Sequence, residues 1–150
     1  MAIIRSAGTE IIRCHNFIDI DDTARKLIIG VQHHIYTVLS VVVHANSLNA
    51  AGDWFKLSVL GYDNTDSASN QRVTIFKQAM NTGETFVFND KFSFNGAEPT
   101  GYAGTLDDAT KQDAIVDQAN SGQVQFLEGD AGAAADDFHV IVTFIDQNNS

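Results

Sequence analysis

Five histidines, one cysteine and a few clustered carboxylates are the side chains of this 150-residue chain that could do chemistry. His33 and His34 are adjacent, so on a strand they face opposite sides and do not share a metal. His15, His44 and His139 fall in other expected strands, whereas a zinc centre needs three or four convergent donors. Cys14 beside His15 is no thiol dyad, because neighbours on a strand diverge and nothing orients the imidazole. Asp19, Asp21 and Asp22 in one turn, and Asp63, Asn64 and Asp66 in another, offer oxygen ligands. Neither set has the spacing or the bidentate glutamate of a calcium-binding EF-hand. Asp107 and Asp108 suit the first turn of a helix and carry no acid–base signal. There is no Gly-x-Ser-x-Gly elbow and no phosphate-binding glycine loop. The expectation is a protein that is not an enzyme, with no catalytic residues, no metal and no cofactor.

Charge narrows the partners. Nine basic against nineteen acidic residues give a formal net charge of -10 and a pI near 4.6. Such a surface repels phosphate backbones, so no nucleic-acid partner is expected. The single cysteine excludes an intrachain disulfide and fits folding in a reducing cytosol. Residues 1–8, Met-Ala-Ile-Ile-Arg-Ser-Ala-Gly, do not form a secretory leader. No apolar window is long enough for a membrane helix. A soluble, intracellularly made protein with no membrane partner is expected.

These side chains are carried by strands. The central stretch runs from Ile35 to Asp63, two arms rich in β-branched, aromatic and leucine residues around a polar turn at Asn46–Asp53. Alternation places Leu39, Val41, Val43 and Ala45 on one face of the first arm, and Phe55, Leu57 and Val59 on one face of the second. Ile11–Ile20 reads as a strand with Ile12, Cys14 and Asn16 opposite Ile11, Arg13, His15 and Phe17. Lys26–Val31, Arg72–Met80 and Val124–Leu127 read as further strands, with Glu128–Asp136 as a loop. In the last strand, Phe138–Ile145, Phe138, Val140, Val142 and Phe144 oppose His139, Ile141 and Thr143. Phe86, Phe88, Phe92 and Phe94 share parity and read as sheet core. Thr105 caps a short helix expected near 105–119. The fold expected is an all-β antiparallel sandwich, a jelly roll with that helix inserted. Its boundaries are an arm at 1–10, one domain at 11–146 and a polar tail at 147–150.

The stretches Thr37-Val38-Leu39-Ser40-Val41-Val42-Val43-His44-Ala45-Asn46 and Phe55-Lys56-Leu57-Ser58-Val59-Leu60-Gly61-Tyr62-Asp63 carry a family likeness. With the turn Asn81-Thr82-Gly83-Glu84-Thr85 and the final Val-x-Val-x-Phe strand, the chain resembles the small jelly-roll capsid decoration (cement) proteins of tailed bacteriophages. Leu127-Glu128-Gly129-Asp130 departs from that family's Gly-Asp turn, and 95–122 has no counterpart in it.

The resemblance implies a structural virion protein on the outer capsid surface, made in the host cytoplasm. Its partners would be the major capsid protein and its own copies, as a homotrimer. Ile3, Ile4 and Arg5 of the arm, with Trp54 and Tyr62 at strand ends, are the candidate partner-binding residues. The alternative is a tail or fibre-associated receptor- or carbohydrate-binding module using the same aromatics. A free carbohydrate-binding module would use calcium at Asp63–Asp66.

Overall fold

The computed structural model describes residues 9–31, 33–61, 71–96 and 124–148. The helix expected near 105–119 and the loop at Asp63–Asp66 lie outside these residues. Among the described residues there are nine strands. They are β1 (Thr9–Ile20), β2 (Arg25–Ile29), β3 (His34–Ser47), β4 (Trp54–Gly61), β5 (Gln71–Ala79), β6 (Thr85–Phe88), β7 (Phe92–Asn95), β8 (Phe126–Ala131) and β9 (Asp137–Asn148). The outer strands therefore reach past both ends of the expected 11–146 domain.

The pairing is nested. β1 pairs β9, β2 pairs β8, β3 pairs β6 and β7, and β4 pairs β5, all antiparallel. That is one long hairpin from the two ends of the chain inward. Rolling it adds the contacts β3–β9 and β4–β8. The result is a larger sheet, β1-β9-β3-β6 with β7 also on β3, packed on a smaller one, β2-β8-β4-β5. This is the β-sandwich expected, with the strand order of a jelly roll.

The core between the sheets follows the alternation read in the sequence. Val41, Val43 and Ala45 from β3, Phe55 and Leu57 from β4, and Phe138, Val140, Val142 and Phe144 from β9 are all fully buried. Leu39 and Val59 are the exceptions; the register of β4 on β5 shifts between Leu57 and Ser58, so Ser58 and Leu60 are buried and Val59 is only half-buried. The register of β3 on β9 shifts between Val38 and Ser40. Tyr36 and Val38 therefore take the inward places, and Leu39 is only half-buried. A bulge inverts parity locally, which no count of alternation anticipates.

The phenylalanine stripe is core, as expected. Phe92 and Phe94 stand opposite Val38 and Tyr36, and Phe86 and Phe88 opposite Val43 and Val41. Phe76 of β5 stacks on Phe88 at 4.9 Å between ring centroids and meets Phe86 at 5.1 Å. These rings close one open edge of the sandwich, where β5 faces β6.

The loop expected at Glu128–Asp136 is a strand as far as Ala131. Two causes make Glu128-Gly129-Asp130 a strand despite its composition. Gly129 leaves room for its neighbours: a Cβ there would lie 2.9 Å from the Phe55 ring. The flanking carboxylates find cations across the sheet, Glu128 with Arg72 at 2.8 Å and Asp130 with Lys56 at 3.9 Å.

At the end of the sandwich where β2, β7 and β8 finish, three backbones cross. The Gly30 and Gln125 N–H groups donate to the Gln125 and Gly96 carbonyls respectively, and the Gly96 N–H donates to His34 O. A Cβ on Gly30 would collide with the Gly96 and Gln125 carbonyl oxygens, and one on Gly96 with the Val31 backbone. Only glycine permits so close an approach. No helix among the described residues is long and apolar enough to cross a membrane.

Candidate docking face and edge cleft

Two features of the surface stand out. The first is the outer face of the larger sheet. Directly opposed residues on antiparallel strands share a face, so the register defines rows of neighbours. One row runs Asn16, Ile141, Val42, Val87 across β1, β9, β3 and β6. Beside it runs Cys14, Thr143, Ser40, and then Ile12, Ile145, Thr37, Ser93. On the other flank stand His139, His44 and Thr85.

None of these side chains is a lysine, arginine, aspartate or glutamate. Glu10 and Asp137 occur only at opposite margins, opposite Gln147 and Ser47. Ile12 is 71% exposed, Val87 49% and Ile141 40%. What polarity exists is partly paired within the face: Thr37 with Ser93 at 2.9 Å and His44 with Thr85 at 2.8 Å. The outer face of the smaller sheet is different in kind, carrying Lys56, Asp130, Arg72, Glu128 and Lys77.

The second feature is a cleft of about 510 Å³ at the sandwich edge where β1 and β2 face each other. β1 and β2 are edge strands of different sheets. They are bridged where His15 Nδ1 meets Leu27 O at 2.9 Å. The walls include Phe17, Tyr36 and Phe144, and the polar lining includes Arg13, Asn16 and Lys26. His15 lies edge-on to Phe144 at 5.0 Å. Behind the cleft, Asp146 accepts from Arg13 at 3.2 Å and is 2.6 Å from His34 Nδ1. At 1% exposure it is fully buried, and its partners there supply the pairing a buried carboxylate requires.

The residues expected to bind a partner divide sharply. Ile3, Ile4, Arg5 and Tyr62 lie outside the described residues. Trp54 opens β4, half-buried, with the ammonium groups of Lys77 and Lys56 at 4.4 and 5.5 Å from its ring. The edge of the indole packs on Gly132, whose Cβ would lie 3.1 Å from Trp54. It is thus a cation-flanked aromatic and not a bare platform.

His33 sits in a left-handed turn, His34 on Asp146 and His15 on Leu27, while His44 and His139 stand opposite each other at 6.4 Å between ring centroids. Among the described residues no three metal-ligating side chains converge. Cys14 and His15 point to opposite faces. The uncharged face and the cleft were invisible to motif reading, because each is assembled from strands far apart in the chain. The parity of Ile12, Cys14 and Asn16 was the available signal for the face.

At the opposite end, two neighbouring aspartates are tuned in opposite directions. Asp136 is buried, and that burial, with the carboxyl of Asp53 beside it, pushes its pKa above the ordinary value. The N–H groups of Asn49 and Ala133, at 2.9 and 3.0 Å, pull the other way and lose. Burial also pushes Asp137 upward, but the Asn46 side chain at 2.7 Å, the Asp19 N–H at 3.0 Å and the nearby His139 outweigh it. Its pKa is therefore lowered.

The linkage signs follow from the directions. Asp137 stabilises the fold above the unfolded carboxylate pKa and loses that contribution as pH falls through its lowered folded value. Asp136 does the reverse: its contribution is full at low pH and is lost as pH rises through its raised value. A carboxyl ¹³C titration should give Asp136 a midpoint above 3.8 and Asp137 one below it. Reversed order would overturn this assignment of partners.

No family model and no curated protein matches the chain. Among solved structures, one from work on Bacillus endospore appendages, disulfide-linked pili, aligns at 10% identity and TM-score 0.42, covering 100% of this chain and 96% of that one. The CBM22-1-GH10 modules of the Clostridium thermocellum N-terminal endo-1,4-β-D-xylanase 10B, complexed with xylohexaose, align at 14% identity and TM-score 0.41. That alignment covers 85% of this chain and 19% of that one. Likenesses this loose carry no argument about what the chain binds or builds.

Proposed function

We propose that the chain is a structural virion protein that binds the outside of a phage capsid and stabilises it. The observation supporting this reading is the uncharged outer face of the larger sheet. Removing an ionised group from water without a partner costs several kcal/mol, so a face whose rows hold no lysine, arginine, aspartate or glutamate is inexpensive to bury. On a chain of net charge -10, that face is where a partner can sit closely.

Magnitude decides how the docking works. Strand spacing and rise make the face about 19 Å by 27 Å, roughly 500 Å². A standard interface buries about 800 Å² on each partner. One face alone is therefore short. A homotrimer multiplies it, and an arm at 1–10 carrying Ile3, Ile4 and Arg5 extends it, so that weak contacts hold by multivalency. The major capsid protein is the partner in this reading.

Purified chain added to bare capsids and pelleted with them should saturate at a fixed stoichiometry in the hundreds per shell. Absence from the pellet at saturating concentration would refute the proposal. A tail or fibre-associated receptor- or carbohydrate-binding module is the second reading, favoured by the aromatic-walled cleft between β1 and β2.

A further inference from the structure

The β1–β2 cleft has a chemistry of its own, separate from the docking face. Its polar lining includes Arg13, His15 and Lys26, and none of its lining side chains is acidic. On so acidic a chain this is a local reversal of charge. Asp146 answers Arg13 from behind, yet it is fully buried and is not part of the lining. Among the described residues Lys26 makes no ion pair; its ammonium stands 4.6 Å from the Phe126 ring. Phe17 and Phe144 add aromatic wall to the cationic mouth. The volume of about 510 Å³ falls within the ~300–1,000 Å³ of small-molecule sites.

We propose that this cleft binds a single ring bearing a carboxylate, from a sugar acid or an aryl acid. The carboxylate takes the Arg13–Lys26 mouth, where a guanidinium can donate two parallel hydrogen bonds. The ring lies against the aromatic wall. The remaining ring nitrogen of His15 suits a hydroxyl group of a sugar acid.

The test uses the isolated full chain and no capsid. Glucuronate and benzoate are titrated in, with glucose and benzamide as their uncharged counterparts. Binding is read from amide shifts at residues 13–17 and 26–31. At least one acid should saturate and move those amides. Its uncharged counterpart should bind about tenfold more weakly or worse, the effect of losing one charge-assisted contact.

Lys26 is exposed, so Lys26→Gln should weaken the acid severalfold while leaving amides outside the cleft in place. Arg13 is unsuitable for this purpose, since its removal also strips a partner from buried Asp146. Which acid binds identifies the source of the ring. Failure of both acids to shift these amides, equal binding of acid and uncharged partner, or unchanged affinity in Lys26→Gln would each overturn the proposal.

Discussion

Gly30→Ala should destabilise the fold by about 3 kcal/mol or more, at or beyond the upper end of ordinary overpacking. The added methyl meets two carbonyl oxygens, of Gly96 and Gln125, that are themselves held by hydrogen bonds from the Gln125 and Gly30 N–H groups at 3.0 and 2.8 Å. Backbone cannot step aside as a side-chain tip can. Moving either carbonyl breaks the crossing that joins β2, β7 and β8. Gly83 is the control: its φ is +91° but its Cβ direction is open, so Gly83→Ala meets only conformational strain. That strain is worth about 1–2 kcal/mol. Urea unfolding of both variants gives the comparison. Gly30→Ala no more costly than Gly83→Ala would show that the three segments do not cross as described.

If the chain docks on a capsid as proposed, Ile141→Lys and Ile141→Glu should each reduce that binding by about 30-fold or more while changing stability by no more than roughly 0.5 kcal/mol. Ile141 sits in the row that spans the face, between Asn16 on β1 and Val42 on β3. It is 40% exposed in the isolated chain, so a charge there stays solvated until docking removes the water. About 2 kcal/mol of desolvation then appears in the affinity alone. Both signs of charge should act alike, because the penalty is for burial. If Lys weakened binding and Glu strengthened it, the face would be recognised by charge attraction instead. If neither had an effect, the contact would lie elsewhere on the molecule.

Much of the sandwich was legible in the sequence because alternation is a local property. The faces of β1 and β9, and of β4 as far as Leu57, followed from parity, and so did the phenylalanine stripe. Where alternation broke, the reading broke. The register shift after Val38 moved Leu39 out of the core, and Gly129 with its charged neighbours looked like a loop while forming the middle of a sheet. The reason is tertiary: Phe55 packs where Gly129 has no side chain, and Arg72 lies 56 residues from the carboxylate it neutralises.

The candidate sites are less legible still. The rows of the uncharged face combine β1, β9, β3 and β6, and register between strands so distant is not written in either strand alone. Arg13 and Lys26 meet at one cleft only because β1 and β2 are facing edges of different sheets. Trp54 was noticed for its type, yet Lys56 and Lys77 flank its ring, a consequence of the β4–β5 register.

The copy number of the chain relative to the major shell protein, by quantitative mass spectrometry of purified phage particles, tests the proposed capsid role most directly. Decoration of the shell predicts hundreds of copies per particle, in a fixed ratio to the shell protein. A handful of copies, or none, would contradict it.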